Sequence, residues 1–383
     1  MFVAVEELVD VDVRCDNRRQ SNGEYSFVDL PALRVVRATG NMIIGARDGA
    51  VQTFPLLARV EIAASAKLEI HAYYRNAHIT LPALQFVDNN GTFQLLADNT
   101  GALDLPILVQ LGHRSRGSTT LGGTSGVIRL PSLTELSGDF SVQYSVEMPV
   151  LEEVVGPAGA TDTSVLDFVV MSAAPPLRAV RRGENGGRVS WTLAKYSDVA
   201  ADTGVQAATF GALTDVGGLS LLTANYFNVT LPLVTTVPSG AVVLAHENGL
   251  VSLPAVTELA DVSLRADNYR SRYGSYAILQ LQALSTLTLN AGFDVRALDR
   301  GTVRLPSLTR VVVNATSGGA LRSENDGHSL LAAPLLAQIP ATVSVDAGGQ
   351  YEFAQNVCFL GVEATPTEVK NSSGAAVTIP LCV

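Results

Sequence analysis

The sequence predicts an all-β chain that folds as a parallel β-solenoid of about 13 coils, each of roughly 24 residues. Three observations lead to this fold class. A motif recurs along almost the whole chain, short apolar–polar alternations lie between its copies, and charged residues make up only 16% of the sequence. Surface helices normally carry Glu and Lys, whereas Lys occurs here only three times. Abundant Val, Leu, Thr, Ser and Gly are more typical of strands and turns.

The repeated motif is Pro-x-Leu-x-x-Val. Clear copies begin at Pro31, Pro82, Pro131 and Pro306. Degenerate copies begin at Pro55, Pro106, Pro149, Pro175, Gly211, Pro232, Pro254, Gln282 and Pro334. All thirteen copies keep an aliphatic residue two and five positions after the first residue, and eleven of the seventeen prolines occupy the first position. A period of this kind indicates stacked repeats, because each unit buries its apolar face against its neighbours.

Two short alternations and a turn complete each coil. An aliphatic-x-aliphatic triplet precedes the motif, as in Ile79-Thr-Leu81, and a second alternation follows it, as in Leu68-Glu-Ile70 and Val242-Val-Leu244. The turn often carries Asp or Asn near Gly, as in Asn99-Thr-Gly101. Coils divided in this way have no room for a useful helix, so we expect them to stack as parallel strands with the aliphatic residues inside.

The repeat resembles the unit of the receptor L-domain, a leucine-rich-repeat-like fold, and of the fungal cell-surface proteins that use it. That unit reads Leu-Pro-x-Leu-x-x-Val-x-Gly-x-Leu-x-Ile-x-Asn-Asn, and the resemblance covers roughly residues 26–357. Residues 81–97 and 253–268 follow it well, whereas the Gly before the second strand is irregular and paired Asn is rare. The resemblance implies a right-handed solenoid, bilobal or continuous, that acts at a cell surface without catalytic residues.

Five segments make up the predicted organisation: an N-terminal cap (1–29), a first half of coils (30–180), an irregular insertion or junction (181–210), a second half (211–357) and a C-terminal cap (358–383). The junction interrupts the repeat, holds the only Trp, Trp191, and contains a helix-compatible run from Tyr196 to Ala208. Two lobes, or one solenoid with an inserted loop, both fit the sequence, and the spacing favours the second. Caps are expected because an open strand edge invites association.

Charge and hydropathy exclude several classes of partner. The formal net charge is −10 and no basic patch is present, so we expect no nucleic acid partner. No run of eighteen apolar residues occurs, so we expect no transmembrane segment, and the N-terminal segment lacks the features of a signal peptide. No Cys or His lies at zinc-site spacing, so we expect no metal and no cofactor.

The cysteines and glycosylation sequons bear on the compartment. Cys358 and Cys382 flank the last coil and form either a disulfide or two buried thiols. Four Asn-x-Ser/Thr sequons begin at Asn90, Asn228, Asn314 and Asn371. A disulfide and glycosylated sequons would both fit an extracellular or cell-surface protein.

Candidate ligand-binding residues occupy the same slot in several coils, just after the second strand. They are Tyr73, Tyr74, Arg75 and Asn76 in one long coil, Tyr269, Arg270, Arg272 and Tyr273 in another, and Tyr226 and Phe227 in a shorter one. Tyr and Arg side by side on a rigid coil are suited to stacking on sugar rings or to forming protein hot spots. The alternative interpretation is that these loops cover a hydrophobic corner.

The sequence therefore predicts a non-catalytic repeat scaffold that binds a glycan or a protein ligand, in cell-surface recognition, adhesion or extracellular wall structure. The alternative is a carbohydrate-active β-helix enzyme of the polysaccharide lyase or epimerase type, which needs a base and often a Ca²⁺ site. The five histidines are scattered, although His71 and His78 share one coil. Acids and basic residues clustered on one strand face with a cation would favour the enzyme, and an aromatic edge without them would favour the binding protein.

Overall fold

The computed structural model describes residues 5–16, 26–112, 117–143, 146–159, 163–168, 174–194, 206–268, 276–314, 318–324, 328–345, 349–360, 367–371 and 375–382. Strands are the only regular elements in these ranges. The protein is an all-β parallel β-solenoid of about 12 turns of about 25 residues, which confirms the predicted fold class. Two compact units divide the chain, unit 1 at Met1–Ser190 and unit 2 at Trp191–Val383.

Unit 1 is built from short strands, with up to three in each coil. They are β1 (Glu7–Val9), β2 (Val13–Asp16), β3 (Phe27–Asp29), β4 (Val35–Ala38), β5 (Asn41–Arg47), β6 (Val51–Thr53), β7 (Arg59–Ile62), β8 (Lys67–Tyr73), β9 (His78–Thr80), β10 (Phe86–Asn89), β11 (Thr92–Asp98), β12 (Ala102–Asp104), β13 (Gln110–Leu111), β14 (Ser118–Gly122), β15 (Val127–Arg129), β16 (Glu135–Ser137), β17 (Asp139–Val142), β18 (Val146–Glu147), β19 (Glu153–Val155), β20 (Thr163–Phe168) and β21 (Ala179–Arg181).

Sheets form because strands one coil apart pair in parallel. The longest series in unit 1 runs β2-β5-β8-β11-β14-β17-β20, a second runs β3-β6-β9-β12-β15-β18, and the third side holds β1-β4-β7-β10 and β13-β16-β19-β21. The register is in step from coil to coil, so that Met42 lies beside Leu68 and Leu68 beside Phe93. Equivalent side chains of successive coils therefore stack in rows along the unit.

Unit 2 repeats the same plan after β22 (Arg188–Ala194), the strand that contains the boundary between the units. Its strands are β23 (Gln206–Thr209), β24 (Leu219–Asn225), β25 (Phe227–Thr230), β26 (Val242–His246), β27 (Leu250–Ser252), β28 (Glu258–Ala260), β29 (Ser263–Asp267), β30 (Ile278–Gln280), β31 (Thr286–Thr288), β32 (Asp294–Leu298), β33 (Thr302–Arg304), β34 (Arg310–Val312), β35 (Ala320–Glu324), β36 (Leu330–Ala333), β37 (Gln338–Pro340), β38 (Ser344–Val345), β39 (Gln350–Phe353), β40 (Cys358–Leu360), β41 (Thr367–Asn371) and β42 (Ala376–Ile379).

The sheets of unit 2 run β24-β26-β29-β32-β35-β38, β23-β25-β27-β30-β33-β36-β39-β41-β42, β28-β31-β34 and β37-β40. The helix-compatible run ends in strand β23 and otherwise lies outside the described residues. The last strand, β42, pairs with β41 in the antiparallel direction, so the series ends with a reversal of the chain. A disulfide joins Cys358 to Cys382, whereas Cys15 is a buried free cysteine.

The repeated motif forms the core of both units. The aliphatic residue two positions after the motif's first residue is 0% exposed in all thirteen copies, from Leu33 to Leu336. The residue five positions after it is buried in every copy except Val87 and Val237, which are partly exposed. Burying a Leu or Val side chain contributes about 1.5–3 kcal/mol, so these columns are the main source of stability.

For the second alternation, the sequence predicts the inward-facing residues correctly in unit 1. In part of unit 2 the predicted inward positions are shifted by one residue. Leu68 and Ile70 are 0% exposed, as the pattern predicts. In Val242-Val-Leu244 the inward residues are instead Val243 and Ala245, both 0% exposed. Three consecutive aliphatic residues fit either phase, and the register with β29 decides between them by aligning Val243 with buried Leu264.

Candidate functional site

A row of polar residues crosses the outer face of unit 1 where strands β5, β8 and β11 end. The register aligns Arg47 with Tyr73 and Tyr73 with Asp98, and the three side chains are half-buried. Two residues earlier in the same strands, Gly45 lies beside His71. Because Gly45 has no side chain, it leaves the surface next to the imidazole open.

Two tyrosines and an arginine pack together at this end of the row. The ring centroids of Tyr73 and Tyr74 are 3.8 Å apart, with the rings tilted by 49°. The Arg47 guanidinium carbon lies 5.2 Å from the Tyr73 centroid and 5.8 Å from the Tyr74 centroid. A cation over an aromatic face contributes about 0.5–1 kcal/mol at an exposed site, so Arg47 adds a modest attraction to the packing of the two rings.

The backbone that follows β8 is unusual. Tyr74, Arg75 and Asn76 have φ angles of 64°, 51° and 63°, three successive left-handed residues without a glycine. The equivalent corner after β11 has only two left-handed residues, Asn99 and Thr100, which are followed by a glycine. A left-handed conformation costs a non-glycine residue about 1–2 kcal/mol, so the longer corner at Tyr74 stores strain.

Hydrogen bonds to neighbouring coils hold this corner in its strained form. The N–H of Tyr74 donates to the carbonyl of Asp98 at 3.2 Å, and its own carbonyl accepts from the N–H of Gly49 at 3.2 Å. The N–H of Asn76 donates to the hydroxyl of Thr100 at 3.1 Å. The coils on either side therefore fix the direction in which Tyr74 and Arg75 project.

A small cleft opens beside the rings. It has a volume of about 270 Å³ and is lined by Arg47, Asp48, Tyr74 and Arg75. The side chain of Asp48 is only 10% exposed, whereas that of Arg75 is 80% exposed. Asp48 Oδ2 lies 3.4 Å from Arg47 Nε, and Asp48 Oδ1 lies 3.8 Å from Arg75 Nε. We call Arg47, Asp48, Tyr73, Tyr74 and Arg75 the Tyr–Arg cleft.

A charged row borders the Tyr–Arg cleft on the face of β8. His71 Nε2 lies 2.8 Å from Asp98 Oδ2, and His71 Nδ1 lies 3.3 Å from Glu69 Oε1. Lys67 Nζ donates to the other oxygen of Glu69 at 2.9 Å. The row thus pairs each carboxylate with a nitrogen donor, and the His71 ring also packs edge-on to Tyr73 at 5.2 Å.

Two groups in this region have shifted pKa values. Burial raises the pKa of Asp98, but hydrogen bonds from the N–H and hydroxyl of Thr124 and from His71 outweigh it, so the pKa of this carboxyl lies below its usual value. The hydrogen bond with Tyr74, followed by desolvation, raises the pKa of Tyr73. Asp98 is therefore held as a carboxylate and Tyr73 as a neutral phenol.

The structure brings part of the predicted set together. Tyr73, Tyr74, Arg75 and Asn76 share one corner, and Asn76 is exposed beside the cleft. Tyr226 lies in unit 2, half-buried at the corner after β24. These two corners belong to different units.

Phe227 does not present its ring to solvent. It is 2% exposed, because it begins β25, where alternate residues point into the core of unit 2. Tyr269, Arg270, Arg272 and Tyr273 lie outside the described residues.

Sequence reasoning missed Arg47, Asp48 and Asp98 as members of the site. The signal was present in the coil period, because Arg47 and Asp98 occupy the position of Tyr73 in the preceding and following coils. Alignment of outward positions from coil to coil would have found both.

A larger cavity lies in unit 2, between β34 and β37. It has a volume of about 690 Å³, and its lining includes Val312, Pro340 and Leu360 beside Arg310. The two strands belong to separate sheets, and Pro340 has no N–H to donate to a neighbouring strand. An interrupted ladder accounts for the opening, and its lining has no aromatic ring for a sugar to stack on.

Comparisons with known proteins yield no relative for this chain: no protein-family model matches, and no curated protein or solved structure is significantly similar. Within the described residues, no helix is long and apolar enough to cross a membrane. The same residues contain no group of three or more His, Cys, Asp or Glu side chains arranged to hold a metal ion.

Proposed function

We propose that this protein is a non-catalytic recognition solenoid that binds a glycan at the Tyr–Arg cleft. The observation that carries the proposal is the strained corner, which holds two packed tyrosines beside a charged cleft. Strain of this kind persists where the surrounding structure enforces it and is concentrated at ligand sites. Aromatic rings offer a flat apolar face to a sugar, and the flanking Arg and Asp side chains suit its hydroxyl groups.

The chemistry of the charged row supports binding over proton abstraction. A lyase or an epimerase needs a base that is free to take a proton from its substrate. Both ring nitrogens of His71 face carboxylates, at 2.8 Å and 3.3 Å, so neither is directed at a ligand. The raised pKa of Tyr73 makes its phenol a poor base at neutral pH.

The proposal includes a location outside the cell or at its surface. The disulfide between Cys358 and Cys382 supports it, because disulfides persist in oxidising compartments. The proposal also includes the likeness to receptor L-domains, which rests on the repeated motif and on the short parallel strands of the described coils. A rigid stack of coils suits a surface protein that presents one corner to a ligand.

A glycan array tests the proposal with the Tyr74→Asn variant. Asn tolerates the left-handed backbone that Tyr74 adopts, so the ring is removed while the corner is kept. We expect the wild-type protein to bind a subset of glycans and the variant to lose about tenfold or more in affinity, because stacking by a packed aromatic contributes about 0.5–1.5 kcal/mol beyond its buried area.

The matched control is Phe86→Thr, which removes a 62% exposed ring from strand β10 of the same unit. We expect its glycan binding to equal that of the wild type. If the wild type binds no glycan, or if Tyr74→Asn binds as tightly as the wild type, the proposed function is wrong. Wild-type binding that Phe86→Thr abolishes would move the site to another face of unit 1.

A further inference from the structure

We propose that the ligand of the Tyr–Arg cleft carries a carboxylate: the cleft binds a uronic acid residue of a glycan, with the carboxylate on Arg75. This inference rests on the glycan-binding function proposed above and specifies its substrate class.

The charges of the cleft do not cancel. Arg47 and Arg75 supply two positive charges and Asp48 one negative charge, so the cleft has a net charge of about +1 in a chain of net charge −10. The neighbouring carboxylates are directed away from Arg75, that of Glu69 to Lys67 and that of Asp98 to His71 and Thr124. Distant charges are screened over about 8 Å at physiological ionic strength, so the nearby groups decide what binds.

Arg75 is the group best placed to bind an added carboxylate. Its Nε lies 3.8 Å from Asp48 Oδ1, beyond the 2.7–2.9 Å typical of a charge-assisted hydrogen bond. Its side chain is 80% exposed and forms no hydrogen bond with the described part of the chain. The guanidinium therefore faces solvent with its donors available, and its planar fork matches a carboxylate in a bidentate arrangement.

Asp48 limits where in the cleft a ligand carboxylate can bind. Its carboxylate is 10% exposed and lies 3.4 Å from Arg47, so this pair forms the inner wall of the cleft. A ligand carboxylate cannot replace Asp48 there and is directed to the outer cation, Arg75. The ring of Tyr74 lines the same cleft, which places an apolar face and a cation within the span of one sugar.

The cleft is small enough to define the bound unit. Its volume of about 270 Å³ is just below the range of about 300–1,000 Å³ found for sites of drug-sized ligands. A single sugar ring is therefore the unit recognised, and one carboxylate per ring matches the single uncompensated charge. Neighbouring rings of the glycan extend into solvent.

The test compares acidic tetramers with their carboxyl-reduced counterparts by isothermal titration calorimetry. The probes are tetramers of galacturonate, guluronate and mannuronate, each paired with the same tetramer in which every carboxylate is reduced to an alcohol. Each pair keeps the hydroxyl stereochemistry and differs in charge. We expect at least one acid to bind about tenfold or more tightly than its reduced partner, and the difference to shrink as salt is added.

The Arg75→Gln variant assigns the effect to one residue. It keeps a non-glycine residue at the corner and removes the charge, so we expect it to bind the acidic tetramer no better than the reduced one. Arg34→Gln is the matched control, since Arg34 is exposed in unit 1 just before strand β4, away from the cleft. We expect this control to keep the full preference for the acid.

The outcomes separate the inference from the proposed function. If acid and reduced tetramers bind the wild type equally, or if Arg75→Gln keeps the preference, the inference is overturned while glycan binding stands. If no acidic or reduced tetramer binds and the glycan array is also blank, both proposals fail. Loss of the preference in Arg34→Gln would show a general charge effect and would also overturn the inference.

Discussion

Replacing Gly101 with Ala tests the stacking of coils beneath the Tyr–Arg cleft. A Cβ at Gly101 would lie closer than 3.0 Å to the carbonyl oxygen of Ala72 and 2.6 Å from its carbonyl carbon, and both atoms are backbone. Backbone cannot move aside as the end of a flexible side chain can. The coil that carries Ala72 and Tyr73 must therefore shift away from the coil above it.

The magnitude follows from three contributions. Overpacking costs about 1–3 kcal/mol. The shift also weakens two hydrogen bonds, from the N–H of Gly101 to Asp98 at 2.9 Å and from the N–H of Val127 to Gly101 at 3.0 Å, each of which contributes about 1 kcal/mol. The reduced freedom of the unfolded chain offsets about 0.4–1 kcal/mol. We expect a net loss of about 2–4 kcal/mol, or about 4–16 °C in Tm for a unit of this size.

Gly45→Ala is the matched control in the same unit. A Cβ there meets Ile43 Cγ2 at 3.7 Å and the His71 carbonyl oxygen at 3.9 Å, which are ordinary contacts. We expect this variant to be more stable than the wild type by about 0.4–1 kcal/mol.

Thermal unfolding followed by circular dichroism measures both changes, and amide hydrogen exchange of residues 74–77 shows whether the loss is local. We also expect Gly101→Ala to weaken glycan binding, because Tyr73 follows Ala72 directly. Equal stability of the two variants, or protection of residues 74–77 unchanged in Gly101→Ala, would refute the reasoning.

Three further predictions concern pH, the core and the disulfide. The pKa of Asp98 is lowered in the folded state, so we expect its contribution to stability to be full above about pH 4 and to be lost as the pH falls through that lowered pKa. The melting temperature of Asp98→Asn should therefore fall less steeply at acid pH than that of the wild type, and equal slopes would contradict this. Leu84→Ala should lower the free energy of unfolding in urea by about 2–5 kcal/mol and Leu56→Ala by less than about 0.5 kcal/mol, because Leu84 is 0% and Leu56 42% exposed. Equal losses would contradict the assignment of the motif to the core. Reduction of the Cys358–Cys382 disulfide, which links residues 24 positions apart, should destabilise unit 2 by about 3 kcal/mol in scanning calorimetry, and an unchanged trace would argue against a stabilising bond.

The repeat made most of the fold predictable from the sequence. An aliphatic residue in a fixed place after the proline identifies the core, and Leu33 and Leu84 are both 0% exposed as expected. The prediction of which strand residues point inward was wrong where consecutive residues are all apolar. Val242-Val-Leu244 has apolar residues on both faces of the strand, and only pairing with the next coil selects Val243 as the inward residue. Local sequence therefore determines the coil, and the neighbouring coil determines which face points inward.

The candidate site was predictable only in part, for a physical reason. Tyr73 and Tyr74 are visible as an aromatic pair in the sequence, but nothing local indicates that Tyr74 and Arg75 adopt a left-handed backbone, since these residue types rarely do. Neighbouring coils impose that conformation through hydrogen bonds such as the one from Tyr74 to Asp98. A period-based alignment recovers Arg47 and Asp98, but the strain at the corner requires the three-dimensional structure.

The register of the solenoid has a consequence for how the chain is made. Ladder partners such as Met42 and Leu68, or Leu68 and Phe93, are separated by one coil. Closing a loop of about 25 residues costs about 3 kcal/mol of chain entropy. Each new coil has only this short loop to close, because the preceding coil is already folded and offers its strands for pairing. The ribosome can therefore release one coil at a time onto a growing stack. Folding can keep pace with synthesis from the N-terminus, without waiting for distant parts of the sequence.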